Sequence, residues 1–124
     1  MYNPEFDKRF YFDKRDIPEN CTVRDAFKLI ESYNDNTNIE TCEIVFRRQS
    51  DGKYICQHYV SYEKTGERRG EYNIPVYRQK VNTDFWGDGE RLLDLPISSL
   101  YHRRSKCNDR SYLILIKDSE NIEE

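Results

Sequence analysis

Polar and apolar residues alternate along the chain most clearly between Thr41 and Glu63 (TCEIVFRRQSDGKYICQHYVSYE). Two runs with a period of two flank Ser50-Asp51-Gly52, the pattern of a β-hairpin. With Gly52 in the left-handed conformation, the expected loop is Ser50-Asp51-Gly52, a type I turn closed by a bulge. Gln49 then pairs with Lys53, which sets Phe46 opposite Cys56, Ile44 opposite His58 and Cys42 opposite Val60. One face collects Cys42, Ile44, Phe46, Tyr54, Cys56, His58, Val60 and Tyr62. The other collects Glu43, Val45, Arg47, Ile55, Gln57, Tyr59 and Ser61. A tighter Asp-Gly turn slips the pairing by one residue and sets the apolar side against Gln57 and Ser61. The longer loop is therefore expected, with the first face packed on a helix and the second partly wet.

The helix is expected over Thr22–Tyr33. Val23, Ala26, Phe27, Ile30 and Tyr33 recur at helical spacing, while Arg24, Lys28, Glu31 and Ser32 face water. Thr22-Val23-Arg24-Asp25 opens it as a capping box, with Asp25 in place of the usual Glu. Before it, Arg9–Asp13 (RFYFD) is a short aromatic strand, ended by Pro18. After it, Asn34–Asn38 is a loop.

Beyond the hairpin the pattern weakens. Lys64–Gly70 (KTGERRG) looks like a charged turn. Glu71–Val81 is a third strand, with Pro75 marking an edge or a bulge. Asn82–Glu90 is a loop that carries Trp86, and Arg91–Leu95 is a helical turn stopped by Pro96. Ile97–Tyr101 is compatible with helix or strand, and His102–Arg110 has the composition of a basic loop. Ser111–Lys117 (SYLILIK) is the most apolar run and the best central strand. Residues 1–8 are expected to form an arm, and 118–124 an acidic, frayed tail. With no repeats or linkers, residues 1–124 are one α+β domain: a mainly antiparallel sheet of four to five strands, with one amphipathic helix packed on one face.

Composition changes this picture in two ways. Ten Tyr, six Phe and one Trp supply much of the apolar area, so the core leans on rings and the composition argues against disorder. The net charge of −3 is uneven. Residues 1–44 carry 6 basic and 10 acidic side chains, residues 45–117 carry 14 and 9, and the tail adds 4 acids. That is not the basic footprint of a DNA-binding domain. There is no secretory leader pattern and no apolar run long enough to span a membrane. Four dispersed cysteines (Cys21, Cys42, Cys56, Cys107) point to reduced thiols and a cytoplasmic protein.

Candidate chemistry is sparse. Cys56-Gln57-His58 and His102 with Cys107 offer two ligand pairs, but neither has a common zinc spacing, so no metal and no cofactor is expected. A catalytic reading would need His58 and His102 beside the His102–Lys106 run, as in a metal-independent phosphodiesterase. No nucleophile motif accompanies them, so a non-catalytic role is expected.

The arginines carry more. Arg47-Arg48, Arg68-Arg69, Arg78 with Lys80, and Arg103-Arg104 with Lys106 are interleaved with Tyr59, Tyr72, Tyr77, Tyr101 and Trp86. Arg, Tyr and Trp dominate the energetics of protein interfaces. The candidate binding residues are Arg47, Tyr59, Arg68, Arg69, Arg78, Trp86, His102, Arg103 and Arg104. The expected function is a binding protein that masks or sequesters a protein partner, of inhibitor, immunity or anti-defence type. A homodimer through the outer sheet face or an edge strand goes with it. The alternative is a binder of a nucleotide or short RNA, with the same arginines on phosphate and the tyrosines on bases.

Overall fold

The computed structural model describes residues 11–32, 35–36, 42–81, 91–104 and 110–117. The strands in chain order are β1 (Tyr11–Arg15), β2 (Asp35–Asn36), β3 (Cys42–Arg48), β4 (Tyr54–Arg69), β5 (Ile74–Val81), β6 (Ile97–Arg104) and β7 (Arg110–Ile116). One helix, α1 (Val23–Ser32), lies between β1 and β2. The strands form a single sheet in the order β1-β6-β7-β3-β4-β5-β2. All pairings are antiparallel except that of β3 with β7. The fold is α+β in one small domain and its sheet is mainly antiparallel, as expected; the sheet is wider than expected and carries one parallel pairing. The expected arm 1–8 and tail 118–124, and Tyr33 of the helical stripe, lie outside the described residues.

The apolar stripe of α1 buries Val23, Ala26, Phe27 and Ile30. They meet Cys42, Ile44 and Phe46 of β3, Val60 of β4, Leu100 of β6, and Ile114 and Ile116 of β7 in one core. A helix of 10 residues is marginal alone. Each buried Val, Ile or Phe contributes roughly 1.5–3 kcal/mol, so packing outweighs the caps in holding it.

The caps still decide where α1 starts. Thr22 N donates to Asp25 Oδ2 at 3.1 Å, and Asp25 N donates to Thr22 Oγ1 at 3.3 Å, so the capping box is reciprocal. Val23 N and Arg24 N, which no helical carbonyl can reach, donate to Leu95 O and Leu93 O at 3.1 and 2.8 Å. The 91–95 segment therefore closes the helix N-terminus. At the other end, Gln79 Nε2 of β5 donates to Ile30 O at 2.8 Å and to Tyr112 Oη at 3.2 Å.

The hairpin register agrees with expectation over its middle: Phe46 faces Cys56, Ile44 faces His58 and Cys42 faces Val60. Its loop differs. Arg48 N donates to Lys53 O at 2.9 Å, so the loop spans Gln49–Gly52, one residue longer than expected. Gly52 has φ +73, as expected. A bulge compensates for the extra loop residue: Arg47 pairs with Tyr54 while Phe46 pairs with Cys56. Two residues of β4 then follow one another on the core side. Ile55 packs on the core, and Tyr54 turns to the outer face, the reverse of the strict alternation.

Two further expectations are corrected. Lys64–Arg69 is the distal half of β4, not a turn. His102–Arg104 belongs to β6, not to a loop. The outer face of the hairpin is partly wet, as expected, with Gln57, Tyr59 and Ser61 exposed; farther across the same face Tyr101, Leu113 and Leu115 form a second buried cluster, with Phe12 and Val45 packed against it.

Candidate interaction surfaces

β4 is 16 residues long, about twice the length of its partner β3. Past Val60, opposite Val81, it leaves β3 behind and continues with β5. β2 joins this extension only at Tyr77 and Arg78. Outward from Lys64, the described residues form a two-stranded arm, β4 turning through Gly70–Asn73 into β5. Gly70 has φ +75 and Asn73 φ +52, and Asn73 N donates to Gly70 O at 3.2 Å. Left-handed backbone costs Gly nothing and Asn little, so this pair makes the turn. Every residue from Lys64 to Ile74 is exposed. Tyr72 is 84 % exposed and Ile74 43 %.

A bulge interrupts the arm. Lys64 pairs with Tyr77 and Arg68 with Pro75, so Thr65-Gly66-Glu67 oppose Val76 alone. Gly66 has φ +88, and Thr65 Oγ1 donates to Val76 O and accepts from Glu67 N, both at 3.1 Å. The arm's arginines are held: Arg68 Nη1 donates to Asn73 O at 3.0 Å, and Arg69 Nε lies 3.4 Å from Glu67 Oε1. Arg78 pairs with Glu63.

A second exposed group lies on the outer face of β3 and β4. Tyr54 and Tyr59 are about half exposed. The Arg47 guanidinium lies 6.0 Å from the Tyr54 ring centroid and its Nη1 donates to Gly52 O at 2.8 Å. Gln57 Nε2 donates to Tyr59 Oη at 2.8 Å.

The candidate binding residues are therefore split. Arg47 and Tyr59 share the outer face. Arg68 and Arg69 sit near the arm tip, fourteen residues past Tyr54 on the same strand, roughly 45 Å of strand path at ~3.3 Å per residue. Arg48 pairs with Asp51 in the hairpin loop. Arg103 is half-buried on β6, Arg104 stands opposite Arg110 at the strand end, and Trp86 lies outside the described residues. Among the described residues, Arg103 shares the outer face with Arg47 and Tyr59, in the row Arg103–Ser111–Glu43–Tyr59, whereas Arg68 and Arg69 lie far along β4.

His102 is placed in the interior rather than on the surface: it is 3 % exposed. Arg15 Nη2 lies 3.4 Å from its Nδ1, and its ring lies 5.0 Å from that of Tyr112. His58 is also buried, stacked on Phe27 at 6.0 Å. The two histidines occupy one cross-strand row, His58–Ile44–Tyr112–His102. Three strand spacings of ~4.8 Å separate them by roughly 14 Å, too far to flank one phosphate. Burial pushes the Cys56 thiol up to about 11, which keeps it neutral and a poor ligand or nucleophile. Among the described residues no group of three or more His, Cys, Asp or Glu side chains is placed to hold a metal ion, and no helix is long and apolar enough to cross a membrane.

An open groove of about 460 Å³ runs between the end of α1 and β5, lined by Lys28, Glu31, Glu63, Arg78, Gln79 and Lys80. Its charges answer one another, Arg78 with Glu63 and Lys80 with Glu31 at 3.8 Å.

Of the arm's two strands β5 was expected and the extension of β4 was not, because Gly66 and Gly70 both resemble turn residues. The signal lies in Gly70 and Asn73, two residues tolerant of positive φ at the spacing of one turn, whereas Gly66 stands alone. No protein-family model, curated protein or solved structure matches the chain.

Proposed function

We propose that this is a non-catalytic binding protein that masks or sequesters a protein partner, of inhibitor, immunity or anti-defence type, and that the β4–β5 arm engages the partner. The observation that carries this reading is the exposure of the whole stretch Lys64–Ile74, with Tyr72 at 84 %. Val76 is the arm's one fully buried side chain, and everything from Lys64 to Ile74 is exposed, so the aromatic and apolar tip gives the fold little. Tyr and Arg at a protruding tip are the residue types that supply binding energy when a partner desolvates them.

The mode of binding follows from the backbone. A smooth exposed ladder would invite strand addition. Here the bulge at Gly66 and Pro75 interrupt both strands of the arm, and Lys64, Glu67, Arg68 and Arg69 line it with charge. Recognition therefore goes through side chains. Arg68, tied to Asn73 O, is already ordered, which lowers the entropy lost on binding.

A nucleotide or short-RNA ligand has less support. Arg68, Arg69 and Arg78 already engage internal acceptors, and a phosphate would have to displace them. The separation of His58 from His102 weighs against a phosphodiesterase. A cytoplasmic location is in keeping with free thiols at Cys21, Cys42 and Cys56.

The test is affinity purification from the native host with the wild-type chain and with Tyr72→Ala/Arg68→Ala, followed by calorimetry with the purified partner. The expected result is a protein retained by the wild type, lost with the variant, and bound directly by the purified chain. Tyr72→Ala alone should change stability by no more than about 0.5 kcal/mol, so lost binding would not reflect unfolding. A partner that binds the variant equally well would remove the arm from the reading. A short RNA recovered in place of a protein would overturn it.

A further inference from the structure

The outer face of β3 and β4 presents three cross-strand ranks: Glu43 opposite Tyr59, Val45 opposite Gln57, and Arg47 opposite Tyr54. Its side chains are held in place. Gln57 Nε2 bonds Tyr59 Oη, while Arg47 stacks on Tyr54 and bonds Gly52 O. Its charges are not matched. Glu43 and Arg47 are both half-buried, and neither has an ion-pair partner among the described residues. They lie on the same face of one strand four residues apart, roughly 13 Å, too far to pair with each other. Leaving charge partly desolvated without a counter-ion is costly.

The patch is complementary to itself. A second copy laid face to face, with its β3 running the opposite way and the twofold axis near Val45 and Gln57, sets each Arg47 against the Glu43 of the other copy. An isologous contact makes every such pair twice. It also covers Tyr54 and Tyr59, whose rings are half exposed. We propose that the outer face of β3–β4 is a twofold self-association surface in which Arg47 of each copy pairs with Glu43 of the other. A single-stranded nucleic acid fits this face less well, because it would meet the carboxylate of Glu43 beside Tyr59. The inference does not depend on the arm, which lies along β4 beyond this patch.

Sedimentation velocity over a concentration series tests it, with Arg47→Glu, Glu43→Arg and the double exchange compared with the wild type. The expected wild type is a concentration-dependent dimer. Each single reversal sets like charges against each other twice and should weaken the dimer by at least about 10-fold. The double exchange restores opposite charges and should return the affinity to near wild type. Glu43→Arg is the cleaner single variant, because Arg47→Glu also removes the bond to Gly52 O. A wild type that stays monomeric up to about 100 μM, where a dimer of micromolar affinity would form, overturns the proposal. So do single variants that dimerise like the wild type, or a double variant no better than the singles.

Discussion

Gln79 of β5 joins the end of α1 to the middle of the sheet: its Nε2 donates to Ile30 O at 2.8 Å and to Tyr112 Oη at 3.2 Å. Ile30 O lies in the last turn of α1, where carbonyls lack helical partners. Gln79 is 1 % exposed, so water cannot replace its amide. Gln79→Leu should remove both bonds, leave Ile30 O without this donor, and destabilise the fold by about 1–3 kcal/mol. The midpoint of urea unfolding, with unchanged slope, would report it. An unshifted midpoint would mean that the amide contributes nothing net.

Asp25 sets an acid limit on stability. The hydrogen bonds it accepts from the backbone and side chain of Thr22 hold its carboxyl below the usual carboxylate range. Asp51 is held lower still by Arg48 and by the N–H of Lys53. Both are carboxyls whose folded-state pKa is depressed. Their contribution is therefore fully present above about pH 4, the unfolded value, and is lost as pH falls through the folded value. The deficit of Asp25→Ala relative to wild type should be largest at neutral pH and shrink toward pH 2. Denaturant titrations of both proteins at several pH values would show it, and a pH-independent deficit would mean that the charged form of Asp25 is not what caps α1.

The described thiols should be slow to react. Cys21 and Cys42 are 2 % and 0 % exposed, and burial raises the Cys21 thiol and pushes that of Cys56 up to about 11. Alkylation needs thiolate. At pH 8 the native protein should leave Cys21, Cys42 and Cys56 largely unlabelled by iodoacetamide, while urea exposes all three. Peptide mass spectrometry would resolve the sites. Rapid native labelling of Cys56 would show that its strand opens readily.

The features legible in the amino-acid sequence are local. Thr22 and Asp25 stand three residues apart, and their side chains meet through the geometry of one helical turn, so the start of α1 was legible. The apolar stripe Val23–Ala26–Phe27–Ile30 is likewise a property of helical period. The pairing of Phe46 with Cys56 followed from alternation, because a slip by one residue would bury polar side chains.

The rest depends on contacts that lie far apart along the chain. β3 pairs with β7 in parallel across some sixty residues of intervening chain, and nothing in either strand encodes that choice. Tyr54 faces outward because an extra loop residue is compensated by a bulge, a matter of backbone geometry to which residue type is nearly blind. The run His102-Arg103-Arg104 has the composition of a loop, yet His102 is buried because β1 supplies Arg15 and β7 supplies Tyr112. Polarity alone does not report burial when distant strands bring the partners. The β4 half of the arm was hidden, though β5 was expected as a strand: Lys64–Arg69 carries no apolar side chain, and its pairing with β5 is held by backbone hydrogen bonds.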